Sequence, residues 1–171
     1  FDKVEKYEGI CDRMEVEIAN YLTKVSEGEL SILGSKRIKA ILKVISDIES
    51  IGDSCYNLAK TLSRKYDKKV KFNSDLTDNM VRMMDLVKKS LDEMQTNLDR
   101  GYDKIDIDSA KKIEYEINAF RTKLKKSHLK SVEKKEYNYN AGIIYNDLFC
   151  ECEKLADYVI NVSEAIEEVN H

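Results

Sequence analysis

Apolar residues recur three or four positions apart along almost the whole chain, which is the spacing of one face of an α-helix. The pattern predicts five long helices, at about 1–26, 31–65, 75–100, 106–131 and 137–169. Gly28 and Gly101 follow two of these segments, as glycines at helix ends often do. Proline is absent and only six glycines occur, so little interrupts the helices. We therefore predict an all-α protein.

A polar motif occurs twice, about 104 positions apart, at the same phase of the apolar pattern. The matching pairs are Glu49 and Glu153, Asp53 and Asp157, and Asn57 and Asn161, with Val44 and Leu148, Ile51 and Leu155, and Leu62 and Ile166 among their apolar neighbours. Polar positions on a helix surface vary freely unless something constrains them. The repetition therefore predicts one structural unit that is used twice.

The helices that precede each motif define the repeat. The second unit contains the third, fourth and fifth predicted helices, whereas the first contains only two. We predict tandem three-helix bundles, the first at 1–72 without its opening helix and the second at 73–171. A helical pattern is already running at Phe1, so we expect this chain to be a piece of a longer polypeptide.

Charge excludes one class of partner. The chain has 29 basic and 32 acidic residues and a net charge of −3, whereas nucleic-acid-binding domains are usually basic. The basic residues are concentrated at 64–71, with five against one acidic residue, and at 123–135, with six against one. If the helices alternate in direction, both segments lie at one end. That end could face anionic membrane headgroups or an acidic transporter loop, and ordinary solvated lysines remain the alternative.

Each motif pairs two carboxylates one helical turn apart. Residues four positions apart project about 40° from alignment with a rise of about 6 Å, so Glu49 lies beside Asp53 and Glu153 beside Asp157. Two unpaired carboxylates at this spacing repel each other, and a hard cation with oxygen ligands would relieve the repulsion. A solvated face paired with lysines is the alternative.

Other chemistry has little support in the sequence. His128 and His171 are the only histidines, which argues against a di-iron oxidase site built on Glu-x-x-His pairs. Phosphate-binding glycine loops and nucleophile constellations are absent, so we do not expect an enzyme. The four cysteines lie inside helical patterns and are expected to be reduced, half-buried thiols.

The duplicated motif resembles the paired acidic motif of the PhoU family of phosphate-uptake regulators. The stretch 45–59 carries the resemblance most clearly, 12–22 is similar to the family's acidic second helix, and 114–118 is its counterpart in the second repeat. Members are tandem three-helix bundles, either free cytoplasmic regulators or domains fused to sodium/phosphate cotransporters.

The resemblance also implies metal binding, since the family's acidic motifs are associated with iron or other metal clusters. The residues that it nominates as ligands are Glu49, Asp53, Glu153 and Asp157, with Asp12, Glu15 and Glu116 as weaker candidates. Asp47 and Glu151 turn away from the motif and are expected to form salt bridges. Lys154 has no basic match at Ser50, so occupancy is not expected to be equal in the two repeats.

Taken together, the residues and the resemblance predict a regulatory domain of phosphate uptake. The expected location is the cytoplasmic side of the inner (plasma) membrane, with the membrane domain of a sodium-dependent phosphate transporter as partner, or otherwise the cytoplasm. Homo-oligomers are a further expected partnership. The alternative is a structural helical bundle for interaction or dimerisation, without metal.

Overall fold

The structure is a computed structural model that describes residues 1–101 and 104–170. Its elements are α1 (Asp2–Ser26), α2 (Ile32–Asp67), α3 (Ser74–Arg100), α4 (Ile107–Glu133), α5 (Tyr139–Glu167) and a 3₁₀ helix at Glu168–Asn170. These described residues include no β-strand, so the all-α prediction is confirmed. His171, one of the two histidines noted in the sequence, lies outside the described residues.

Polar side chains fix where four of the helices begin. Each N-cap oxygen accepts a hydrogen bond from a backbone N–H three residues further on, which satisfies a donor that has no partner inside the helix. The pairs are Ser31 with Gly34, Asn73 with Leu76, Asp106 with Ser109, and Asn138 with Ala141. Gly101, with a φ of 72°, ends α3 in a backbone conformation that favours glycine.

Helix α5 is the centre of the molecule. It packs against α2, α3 and α4. Because α3 also packs against α4, helices α3, α4 and α5 form a closed bundle. Fifteen residues of α5 are buried, around most of its circumference. Met83 from α3 and Ile117 from α4 are fully buried against it. A helix that is apolar on nearly every side needs such enclosure.

The first two helices form a more open unit. Within the described residues α1 packs only against α2, and Leu22 is its one buried side chain. Helix α2 in turn packs along α5, and its Leu58 belongs to the same apolar core as the α3–α5 bundle. The predicted boundary at 72/73 falls in the connector between α2 and α3. The domain division itself remains a prediction, because the two units share this core.

Candidate functional site

Five carboxylates meet on the outer surface of α1 and α2, and we call this cluster the first acidic face. Its members are Glu8, Asp12 and Glu15 on α1 and Glu49 and Asp53 on α2. Carboxylate oxygens of Glu8, Asp12 and Asp53 all lie within 4.8 Å of one another. The antiparallel packing of two helices, each with acids one turn apart, produces this convergence.

Mutual repulsion dominates the electrostatics of the first acidic face. Loss of solvent raises the pKa of Glu8, and the charges of Asp12 and Asp53 raise it further. Burial also raises the pKa of Glu49, with Asp53 next in effect. The Ser50 hydroxyl donates to Glu49 at 3.3 Å, which opposes that shift. In the part of the chain that the structure describes, none of these five carboxylates takes part in a salt bridge.

The donor set of the first acidic face suits a hard cation. Carboxylate oxygens are the ligands that Mg²⁺, Mn²⁺, Ca²⁺ and iron accept, and a bound cation would offset the repulsion. The nearby Cys11 is a weaker donor, because burial and then Asp12 raise the pKa of its thiol. His128 is not available to the face, since it lies on α4 and packs beside Tyr137 and Tyr145.

The second copy of the motif forms a related cluster on α4 and α5, the second acidic face. Its members are Glu114, Asn118 and Arg121 on α4 and Glu153 and Asp157 on α5. Arg121 forms a salt bridge with Glu153, whose side chain is only 17% exposed. Asn118 donates a hydrogen bond to Glu114 at 2.8 Å. Two of the five positions here are therefore neutral or basic.

Asp157 shows how this second cluster is balanced. Burial raises its pKa to about 6, and the charges of Glu153 and Glu114 add to the effect, whereas Arg121 opposes it. The guanidinium thus supplies the positive charge that the first acidic face lacks. A charge-assisted pair of this kind is among the stronger polar contacts in proteins.

The two faces correspond position by position. On the shorter helices, the same spacing of i, i+4 and i+7 recurs 106 positions apart, and the pairs are Glu8 and Glu114, Asp12 and Asn118, and Glu15 and Arg121. Their partners on the longer helices also correspond. Glu15 lies near Glu49 and raises its pKa, and Arg121 forms a salt bridge with Glu153, the equivalent of Glu49. The faces therefore share one framework and differ at two positions on α1 and α4.

The asparagines of the duplicated motif do not join the acidic faces. Asn57 donates to Glu151 at 3.5 Å, and Asn161 donates to Asp47 at 3.2 Å. Asp47 and Glu151 were expected to form salt bridges, and instead they accept these hydrogen bonds from the other repeat. The reason is that α2 and α5 lie antiparallel and side by side, which brings each acid opposite the other motif's asparagine.

The structure separates the remaining nominated residues. Asp12 and Glu15 lie on the first acidic face as the resemblance implied. Glu116 instead forms a salt bridge with Lys89 of α3 at 3.6 Å, and Glu114, two positions earlier, occupies the second face. Sequence reasoning missed Glu8, although its spacing of four from Asp12 was a usable signal. Whether Glu49, Asp53, Glu153 and Asp157 bind metal stays a prediction.

A cleft of about 970 Å³ between α2 and α5 borders the second acidic face. Its walls carry both charge signs, with Lys60 and Lys154 as well as Glu151 among the lining residues. Two of its charged groups, Arg64 and Asp147, already bind each other in a salt bridge. The cleft therefore offers no uniform field for a single class of ligand.

Comparison with known proteins adds one finding. Residues 1–62 match the family model described as the PhoU domain. No curated protein and no solved structure gave a match. None of the helices among the described residues combines the length and the hydropathy of a transmembrane span. The matched segment contains α1, most of α2 and the whole first acidic face, and it supports a PhoU-like domain there.

Proposed function

We propose that this protein is a regulator of phosphate uptake and that its first acidic face binds iron or another divalent metal ion. The observation that carries the proposal is the convergence of Glu8, Asp12 and Asp53 inside the segment that matches the PhoU domain. Three carboxylate oxygens within 4.8 Å, with no basic partner among the described residues, suit a cation better than water alone.

The residues of α1 and α2 contribute to the proposed site in different ways. Asp53 brings α2 into the ligand set, while Glu8 and Asp12 approach from α1. Glu49 adds negative charge one helical turn before Asp53. Its carboxylate accepts a hydrogen bond from the Ser50 hydroxyl, which holds it in place. A bound cation would supply positive charge that links the two helices. In the second acidic face, Arg121 supplies this positive charge and links α4 to α5 through its salt bridge with Glu153.

The proposal extends to the setting of the domain. We place it on the cytoplasmic side of the inner (plasma) membrane, where the membrane domain of a sodium-dependent phosphate transporter would be its partner. Metal loading would stiffen the α1–α2 pair, which has few buried side chains of its own, and so change the surface that the partner meets. This role is regulatory and requires no catalytic residue.

Metal analysis tests the binding claim. Wild-type protein purified without chelator should retain a divalent metal or iron, and the E49Q/D53N variant should bind it at least about tenfold more weakly. E153Q/D157N is the matched control and should keep wild-type affinity. Circular dichroism would verify that both variants are helical. A wild type without metal affinity, or equal affinity in wild type and E49Q/D53N, would contradict the claim.

Uptake measurements test the regulatory claim. Cells of the source organism that lack the gene should show altered uptake of radiolabelled phosphate, and the wild-type gene should restore normal uptake. E49Q/D53N should fail to restore it at equal protein levels, whereas E153Q/D157N should succeed. Unchanged uptake after deletion, at both high and low phosphate, would exclude the proposed role even if metal binding were established.

A second candidate function is a helical interaction module without metal. Exposed apolar side chains on α1 favour it: Tyr7 is 55% exposed, Met14 53% and Tyr21 66%. Large apolar groups on one helix often mark a contact with another protein or a second copy. Sedimentation of metal-free protein separates the candidates, since this one predicts self-association that chelator does not change.

A further inference from the structure

Two segments meet at one end of the molecule, which we call the basic end: residues 64–73, from the last turn of α2 to the start of α3, and residues 129–139, from the end of α4 to the start of α5. Aromatic contacts join them. The Phe72 ring meets Tyr145 of α5 edge-on with centroids 5.9 Å apart, and His128 of α4 lies 6.0 Å from the same ring. The two basic segments of the sequence therefore form a single surface.

The cations of the basic end are almost all lysines, and most are free to meet a partner. Lys68, Lys69, Lys71, Lys130 and Lys135 are exposed and belong to none of the salt bridges seen among the described residues. Lys65 lies over the Phe72 ring at 4.9 Å, and Arg64 is held by Asp147. Exposed lysines, with their long flexible side chains, form a diffuse positive field, whereas an arginine would offer a fixed fork for one ligand.

Large apolar side chains stand exposed among these lysines. Tyr139 is 80% exposed, Tyr66 75%, Leu129 55% and Val132 46%. Beside them a cavity of about 430 Å³ lies between α4 and α5, with Val132, Tyr137 and Ile143 among its walls and Lys135 beside them. Lysine with exposed tyrosine and aliphatic groups is the composition that suits the headgroup region of a membrane.

We propose that the basic end docks onto an anionic phospholipid membrane. Both acidic faces lie away from it: Asp53 is fourteen residues before the end of α2, and Glu153 is fourteen residues after the start of α5, roughly 20 Å along each helix. That exceeds the screening length of about 8 Å at physiological salt, so the acidic faces would not oppose docking on a flat surface.

A nucleic acid fits this surface less well. The whole chain is acidic, and the basic end lacks a free arginine among the side chains described above that could bind phosphate in a bidentate manner. Its tyrosines and aliphatic groups would also remain in water on a duplex. The docking proposal is independent of metal binding and of any role in phosphate uptake.

Vesicle sedimentation tests the proposal with a matched pair of variants. Wild-type protein should bind vesicles that contain phosphatidylcholine and phosphatidylglycerol, and high salt should release it. It should not bind vesicles of phosphatidylcholine alone. The variant K68Q/K69Q/K71Q/K130Q should lose affinity on the order of 1,000-fold. The control K24Q/K36Q/K104Q/K112Q removes the same charge at the opposite end and should bind as wild type. Equal loss in both variants, or no binding by wild type, would overturn the proposal.

A spectroscopic readout separates membrane contact from general attraction to polyanions. The chain has no tryptophan, so Y66W introduces a single reporter at the basic end. Its emission should shift to shorter wavelength with anionic vesicles and stay unchanged with double-stranded DNA at the same salt concentration. A shift of equal size with DNA, or DNA that displaces the vesicles at matched phosphate concentration, would refute membrane docking.

Discussion

The first and second acidic faces share a backbone framework and differ in how their charge is balanced. Both place two carboxylates of one long helix beside three polar residues of a shorter helix. On α1 all three are acids, whereas α4 supplies Asn118 and Arg121 at two of the three positions. The first face therefore depends on solvent or a cation, while the second contains its own counter-charge in the Arg121–Glu153 pair.

The difference shows how a duplicated framework can carry two charge arrangements. The packing of α1 on α2 and of α4 on α5 fixes where five side chains meet, and this geometry is set by the apolar stripes. The equivalent of Glu15 on α4 is Arg121. This one difference changes the charge of the face, while the same pairing of a shorter and a longer helix supports it. The motif of the second repeat forms a salt bridge within the protein, whereas under the proposed function the first repeat would use its motif to bind a cation.

The largest expected effect is at Arg121. R121A leaves Glu153 and Asp157 without a counter-charge in a partly buried site, so we expect the free energy of unfolding to fall by about 2–3 kcal/mol. The equivalent change on the first face, E15A, removes a repulsive neighbour and should be neutral or stabilising by a few tenths of a kcal/mol. Urea unfolding in the presence of chelator measures both. Similar losses in the two variants would mean that the faces are not electrostatically different.

Exchanging the two differing positions should move the metal affinity. D12N/E15R gives the first face the residues of the second. We expect the metal dissociation constant to rise about 100-fold, because the variant loses the carboxylate of Asp12 and gains a positively charged arginine side chain. The reciprocal N118D/R121E should gain affinity at the second face in an E49Q/D53N background. Isothermal titration measures both. Unchanged affinity in D12N/E15R would remove Asp12 and Glu15 from the site.

Acidification should stabilise the second face. The folded pKa of Asp157 is about 6, above its ordinary 3.8, so the folded state binds the proton more tightly and its stability falls as pH rises through this window. Because the residue is partly exposed, we expect only about 1 kcal/mol between pH 7 and pH 4. D157N should lose that gain, measured by urea unfolding with chelator. E49Q should reduce the pH dependence with the same sign, since the pKa of Glu49 is also raised.

The smallest expected effect is at Gly52, the counterpart of Ala156. An added Cβ would meet the Cβ and Sγ of Cys11 at 3.4 Å, an ordinary contact, and Ala156 is accommodated at 1% exposure in the other repeat. G52A should therefore stabilise the protein by about 0.5 kcal/mol, through helix propensity. Thermal unfolding measures this, with A156G as the reverse change. A destabilised G52A would show that α1 approaches α2 more closely than α4 approaches α5.

The apolar pattern predicted the five helices because each has a continuous stripe and few breakers. An N-cap such as Asn73 is a local interaction of the kind that a sequence pattern can predict. The Arg121–Glu153 pair could not be predicted in this way, because it joins two helices whose relative rotation depends on packing. The same limit explains why the sequence analysis nominated Glu116 and not Glu114. The two residues are two positions apart, so their side chains point in directions that differ by about 200° around the helix axis.

The hydrogen bonds between Asn57 and Glu151 and between Asn161 and Asp47 have one further consequence. Interchanging the two halves of the chain converts either contact into the other, which is the rule of an isologous interface between identical subunits. The contact between α2 and α5 thus has the local two-fold symmetry of an interface between identical subunits. A change made at equivalent positions of both halves would therefore act twice on the same interface between α2 and α5.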